Sequence, residues 1–314
     1  MNKKPGYILL AVLAVLLWST AFAFIKYALH YLEPYTIAGI RFTGAGLALW
    51  LVSIIFEKEP ISTVFRHWRL VLTVSFFQTV VLYGLFFYGI SLARGAQSAV
   101  IIGLSPLTTA VTAHFVMHNE KLSRRRLLSL LLAFTGIVII SVASKPWSAA
   151  GRQEFFGLVV LFLATFSSIV GNILVAKAGV RKNAMSPLRL CGWQMTLGGP
   201  VIFALALIRG ETIPDTLPWS IPAVIVWLST ISATGFGIWF FLLRRVKVSD
   251  LNLWKFLIPV GGAIFSWIIL AEEHPDPATI TGMICVALGI IVYYYNNRPE
   301  KPPQTPPTPP PVSV

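Results

Sequence analysis

The stretch 105-SPLTTAVTAHFVMHNEKLS-123 sets a proline inside an apolar run and a glutamate fourteen residues after it. The stretch 259-PVGGAIFSWIILAEEHPD-276 repeats the pair as Pro259 and Glu273, 153 residues further on. Shifted by 153, the chain agrees with itself well beyond these two positions. Pro34 meets Pro187, Gly39 meets Gly192, Gly46 meets Gly199, and 136-GIVII-140 meets 289-GIIVY-293. At a shift of 151, Gly6 meets Gly157 and Lys26 meets Lys177, so a small indel follows the first helix of a half. The chain is an internal duplication.

What is duplicated follows from composition. Of 314 residues, 56% are hydrophobic and 12% charged, where a soluble domain carries about a quarter charged. The apolar residues come in blocks, and windows of about 19 residues find ten candidate spans: 6–28, 34–56, 70–92, 95–117, 126–144, 155–176, 187–208, 219–243, 249–270 and 277–295. At 1.5 Å per residue a 23-residue helix is roughly 35 Å long, enough to cross a hydrocarbon core of about 30 Å. The expected fold is an all-α integral membrane protein with ten transmembrane helices, built from two five-helix repeats at 6–144 and 155–295. Five is odd, so the second repeat enters the bilayer from the opposite side. Inverted repeats of this kind supply two near-equivalent packings, open to either face, and many secondary transporters are built from them.

The formal net charge of +13 invites a nucleic-acid reading, but its distribution opposes one. With the N-terminus placed inside, the Lys and Arg of the loops and span ends divide seventeen inside to five outside, which orients both termini toward the cytoplasm of a cell (inner) membrane. The first span exceeds the roughly 7–15 apolar residues of a signal peptide, so it is expected to stay. Cys191 and Cys285 both fall inside apolar spans, as buried packing residues rather than a disulfide or metal site. No G-x-x-x-x-G-K-[ST] loop is present, no nucleophile–base cluster points to an enzyme, and no cofactor is implied. The tail 296–314, with 299-PEKPPQTPPTPPPVSV-314, is too proline-rich for a core and is expected to be disordered in the cytoplasm.

Pro106 is residue 12 of its 23-residue span and Pro259 residue 11 of its 22-residue span, so both lie at the bilayer midplane. A mid-helix proline has no N–H and displaces the carbonyl four residues earlier, here those of Ile102 and Lys255. Within lipid such groups need protein or a water-filled cavity to satisfy them, and matching interruptions in two halves point to a central binding site. A kink retained for packing is the alternative.

The sequence resembles EamA-domain proteins of the drug/metabolite transporter superfamily. The similarity is carried by 17-LWSTAFAFIKYAL-29, 38-AGIRFTGAGLAL-49 with Arg41 at the second-helix arginine, and 97-QSAVIIGLSPLTTAVTAHFVMHNEKLS-123 followed by 136-GIVII-140. The second half departs from the pattern, with Gln194 in place of the arginine and Ile169 where Trp18 would fall. The resemblance implies a central cavity lined by helices 1–4 and 6–9, and export or exchange of small metabolites.

Ionisable groups within spans are costly and therefore candidate functional groups. Lys255 lies one turn before Pro259, where it meets a substrate anion or snorkels to the surface. Arg41 is a substrate clamp or a structural partner of carbonyls. Gln78, Asn172, Gln194 and Asn252 are polar at depth. Trp18, Tyr83, Trp239 and Trp254 beside them either stack on a ring or cation or serve packing and the aromatic belts. Glu120 and Glu273 are expected to fix helix ends, and His114 to be an interfacial hydrogen-bonding residue. No carboxylate lies deep in any span, so the usual proton relay is missing. Ser129 and Gly136, and Gly282 and Gly289, put small residues on one face of helices 5 and 10, for packing in the chain or for a homodimer. The expected function is secondary transport of a small molecule, amino acids first and aromatic ones favoured. The alternative is a membrane sensor or scaffold that binds without transport.

Overall fold

Residues 5–57, 62–92, 101–117, 120, 122–144, 152–180, 184–269 and 275–296 are described by a computed structural model. Among them every regular element is helical. The helices are α1 (Pro5–Ala28), α2 (Pro34–Phe56), α3 (Trp68–Leu92), α4 (Ile101–Val116), α5 (Arg124–Ser144), α6 (Arg152–Ala178), α7 (Pro187–Ile208) and α8 (Ser220–Leu243). The segments Val248–Asn252, Leu253–Phe256 and Leu257–Ile269 follow without a gap as α9, and α10 is Pro277–Asn296. A single turn, Thr63–Arg66, precedes α3. Six of these, α1, α2, α3, α6, α7 and α8, are long and apolar enough to cross a membrane, while α4 and α10 carry shorter apolar runs. The start of the span expected at 95–117, Glu273 and the tail from residue 297 lie outside the described residues.

The exterior is apolar. Ile55 on α2, Phe115 on α4 and Ile268 on α9 are 73%, 80% and 72% exposed, an outer surface suited to hydrocarbon rather than water. The chain is a multi-pass membrane protein.

The helices pair across the two halves: α2 with α7, α5 with α10, α1 with α8, and α3 with α6. A Cβ built on Gly39 would stand 2.6 Å from the Cβ of Phe203, and one on Gly192 3.3 Å from the Cβ of Leu49. Gly46 abuts Thr196, and Gly199 abuts Thr43. A shift of 153 converts Gly46 to Gly199 and Thr43 to Thr196, so each contact is the image of the other under a two-fold axis. The outer pair behaves alike. Gly136 lies against Val286, and Gly289 against Ala133, its image. The small faces of α5 and α10 therefore meet within the chain, and these glycines are spent on that contact. The two-repeat EamA architecture fits this arrangement.

Carboxylates fasten the ends of these helices. Glu211, just past α7, accepts from the Tyr35 and Thr36 amides at 3.2 and 2.7 Å and from the Thr36 hydroxyl at 2.8 Å, at the start of α2. Conversely Glu57, at the end of α2, accepts from the N-cap hydroxyl of Ser186 at 2.6 Å, with Arg189 at 3.7 Å, at the start of α7. Each anion sits where unpaired amides and the helix dipole concentrate positive charge. The crossed pairing makes α2 and α7 antiparallel.

Candidate functional site

The same tight turn precedes both prolines. Leu104 N–H donates to the Ile101 carbonyl at 3.2 Å just before Pro106, and Leu257 N–H donates to Trp254 just before Pro259. The two bonds are images at a shift of 153. Each is a 3₁₀-type turn, a tighter winding that absorbs the missing donor. In α9 it becomes a full segment, Leu253–Phe256. Ser19 on α1 reaches the Ile258 carbonyl at 3.2 Å, and the lack of a side chain on Gly261 lets α1 approach. The Ser19 hydroxyl, which also meets the Val15 carbonyl of its own helix at 2.8 Å, thus ties α1 to α9 beside Pro259.

Near this bend the structure gathers an unbroken row of rings. Trp18 on α1 lies 4.9 Å from Phe236 and 5.1 Å from Trp239, both on α8. Gly235 makes room, since its Cβ would stand 2.6 Å from the Trp18 Nε1. Phe236 continues to Phe42 on α2 at 6.4 Å, and Phe42 to Tyr83 on α3 at 4.3 Å. A cation stands at each end. The Arg41 guanidinium is 4.5 Å from the Phe42 ring and 6.0 Å from Tyr83, and the Lys255 Nζ is 5.2 Å from the Trp239 ring. Arg41 is the eighth residue of α2 and Lys255 the eighth from the start of α9, so each is roughly 10 Å in from its own end. Those ends lie on opposite faces, because α2 begins beside the end of α7 and α9 follows α8 on the far side.

Arg41 Nε, Trp18 Nε1 and Trp239 Nε1 are buried atoms without a hydrogen-bond partner. Trp18, Tyr83, Lys255 and Pro259 are half-buried at mid-helix, whereas Trp239 is 1% exposed. Trp254 is buried next to Lys255 in the chain. Phe42 and Phe236 were not singled out by the sequence reading. Among 21 phenylalanines nothing marks them until α2 and α8 are brought together.

The amides form a second group. Gln78 Nε2 donates to Asn172 Oδ1 at 3.0 Å, Asn172 Nδ2 to Asn252 Oδ1 at 3.4 Å, and Asn252 Nδ2 to the Val248 carbonyl at 2.9 Å. This chain links α3, α6 and α9. Gln194 is held by α3 instead: Thr79 Oγ1 donates to its side-chain oxygen at 2.5 Å and Ser75 Oγ to its carbonyl at 2.8 Å. Asn172, Asn252 and Gln194 have no exposed surface, so in this conformation they bond helices to one another. Gln78 is presented by a π-helical turn, Phe76–Val81, an irregularity often found at functional places; its Oε1 has no partner.

At the start of α9, Glu120 accepts from the Val248 and Ser249 amides at 2.7 and 3.0 Å, fixing a helix end as expected. His114 Nδ1 accepts from the Leu122 amide at 3.2 Å in the same corner. Asp250 meets the Tyr293 hydroxyl at 2.7 Å and Arg126 at 3.5 Å. Cys191 and Cys285 are free, and Cys285 is only half-buried, less enclosed than its place in an apolar span suggested.

The sequence pattern of the EamA-like transporter family matches residues 5–142 and again 153–295. The chain belongs to the EamA-like transporter family. Among its relatives is a probable amino-acid metabolite efflux pump of Salmonella typhimurium, 28% identical over 96% of this chain and 98% of the relative. An uncharacterized transporter of Synechocystis is 25% identical over 96% and 92%, and a WAT1-related chloroplastic protein of Arabidopsis thaliana 24% over 90% and 67%. A solved crystal structure shares the fold, with a TM-score of 0.79 over 94% of this chain and 99% of that one at 18% identity. Family membership makes this EamA protein a transporter, not an enzyme.

Proposed function

We propose that this EamA protein is a ten-helix secondary transporter of the cell inner membrane, with both termini cytoplasmic. It exports or exchanges a small organic metabolite by alternating access around the proline bends of α4 and α9. The observation that carries this is the row of rings closed at both ends by a cation, placed where the two repeats meet and beside a helix break. Of the expected site residues, the half-buried Trp18, Tyr83, Lys255 and Pro259 are the ones an entering molecule meets, with Arg41 and Trp239 behind them. Pro106 serves as the matching hinge, and Gln78, Asn172, Gln194 and Asn252 hold the helices that must move. Amino acids and their relatives are the leading substrate class, since planar rings stack on aromatic walls and one relative is named for amino-acid metabolite efflux.

The test is counterflow in proteoliposomes preloaded with unlabelled amino acids and aromatic metabolites. Accumulation of label that the unlabelled compound displaces, and that Pro259→Ala slows at equal protein level, supports the proposal. Saturable binding without counterflow for every compound refutes transport and leaves a sensor.

A further inference from the structure

The buried carboxylates described here, and the half-buried Glu57, are already engaged. Glu57 and Glu211 hold the starts of α7 and α2, Glu120 the start of α9, and Asp250 meets Tyr293 and Arg126. The cations are not matched in the same way. Among the described residues, neither Arg41 nor Lys255 has a carboxylate within ion-pair distance. Arg41 is 8% exposed, and its Nε has no hydrogen-bond partner. Aromatic faces lie near both, but a ring quadrupole offsets only part of the cost of a desolvated cation. The site thus offers two positive charges and no free negative one. A zwitterion entering it would leave its ammonium without a counter-charge, and a cation would be repelled.

The repeat sharpens this. Arg41 corresponds to Gln194, Lys255 to Ile102 and Trp18 to Ile169, so the charges and the central indole are absent at the image positions. Folding the two-repeat frame does not demand them twice.

We infer that the substrate of this site is a planar aromatic carboxylate bearing a net negative charge, with its ring along Trp18 and Trp239 and its carboxylate on Lys255. Arg41 receives the anion on the other side of the midplane. This rests on the transporter reading of the same site and narrows its substrate class from amino acids to those of their relatives that keep the carboxylate and lack the ammonium. A single lysine and a single arginine, about 10 Å apart along the bilayer normal by helix rise, suit one carboxylate at a time. Phosphate recognition uses clustered donors and helix N-termini, and the nearby N-termini already hold glutamates. The guanidinium fork of Arg41 donates to a carboxylate through two nitrogens, while Lys255 acts as a point charge.

Three probes with one ring and different charge decide it: indole-3-propionate, tryptophan and tryptamine, assayed for binding and for counterflow with the full-length protein in liposomes. The expected order is indole-3-propionate above tryptophan by at least tenfold, with tryptamine inert. Lys255→Met should cost at least tenfold in indole-3-propionate affinity, Lys255→Arg should restore part of it, and tryptophan should be affected less. Uptake should carry current of the sign of a moving anion. Equal or better binding of tryptophan or tryptamine, no binding of any probe, or indifference to Lys255→Met in a protein of normal thermal stability overturns the inference. Binding in the expected order without counterflow leaves the inference standing and removes transport. Counterflow of tryptamine does the reverse.

Discussion

Gly46 and Gly199 offer a stringent test of the paired frame. An ideal Cβ on Gly46 stands 2.6 Å from Thr196 Oγ1, and one on Gly199 stands 2.5 Å from Thr43 Oγ1, where ordinary contact begins at 3.4 Å. Alanine at Gly46 therefore requires a shift of more than 0.8 Å, that is 3.4 less 2.6, because the Thr196 backbone nitrogen lies nearer still than the hydroxyl and turning the side chain does not suffice. Overpacking of this kind costs about 1–3 kcal/mol. Against it stands the intrinsic helix preference for alanine, worth up to about 1 kcal/mol. A net loss of about 1–2 kcal/mol is expected at each site, a fall on the order of 4 °C in thermal midpoint. Gly237→Ala is the control, since its nearest neighbours are at 3.5 Å, and it should be neutral or stabilising. Because either substitution pushes the same two helices apart, the double variant should lose less than the sum, by about 1 kcal/mol. The assay is thermal unfolding in detergent followed by tryptophan fluorescence. Singles as stable as the control, or a strictly additive double variant, would refute a shared α2–α7 contact.

Glu120 holds two amides of α9, so stability should fall in the order Glu, Gln, Ala, by about 1–2 kcal/mol for Gln and 2–4 for Ala; equal midpoints for the two variants would remove the clamp. Glu211→Ala should cost about 1–3 kcal/mol by orphaning the Tyr35 and Thr36 amides, read in the same unfolding assay, and an unchanged midpoint would count against it. Asp276 accepts from the Thr279 amide at 2.8 Å, and the Thr279 hydroxyl first and this amide second hold its carboxyl below the ordinary value. Its contribution to α10 is present above the unfolded pKa and lost as pH falls through the folded one. Hydrogen exchange at Thr279, corrected for intrinsic rate, should therefore quicken on acidification and become insensitive to pH in Asp276→Asn.

The scaffold was readable in the sequence because its signals are local and occur twice. The spans expected at 34–56 and 187–208 coincide with α2 and α7, since long apolar runs opening on Pro34 and Pro187 leave little freedom over where a helix starts. The bends at Pro106 and Pro259 were likewise expected, because proline chemistry fixes them wherever they fall. The partners of polar groups were not readable. Asn172 and Gln78 are 94 residues apart, and only the packing of α3 on α6 shows that they bond each other. The π-helical turn that presents Gln78 leaves no mark in a one-letter sequence. Glu211 looked like one more acid of an outer loop, yet it is 7% exposed and holds α2.

One set of packing positions obeys the repeat, and the two cations of the ring row break it. Glycines 39, 46, 136, 192, 199 and 289 pack helix on helix and follow the two-fold axis, as do Pro106 and Pro259. An alternating mechanism needs such positions in duplicate, because each half must adopt the conformation the other has just left. A substrate is one molecule with no two-fold axis of its own, so groups that touch it gain nothing from an image. Trp18 faces Ile169 across the repeat, Arg41 faces Gln194, Lys255 faces Ile102 and Trp239 faces Phe86. These four residues lie on the single row of rings and cations. The row also holds one matched pair, since Tyr83 and Phe236 are images of each other, so its rings follow the repeat in part while its two cations do not. Converting Arg41→Gln, which makes the two halves alike at that position, should therefore leave unfolding little changed while weakening the retention of an aromatic carboxylate. The reverse outcome, loss of folding with binding intact in the residual folded protein, would assign Arg41 to the scaffold instead.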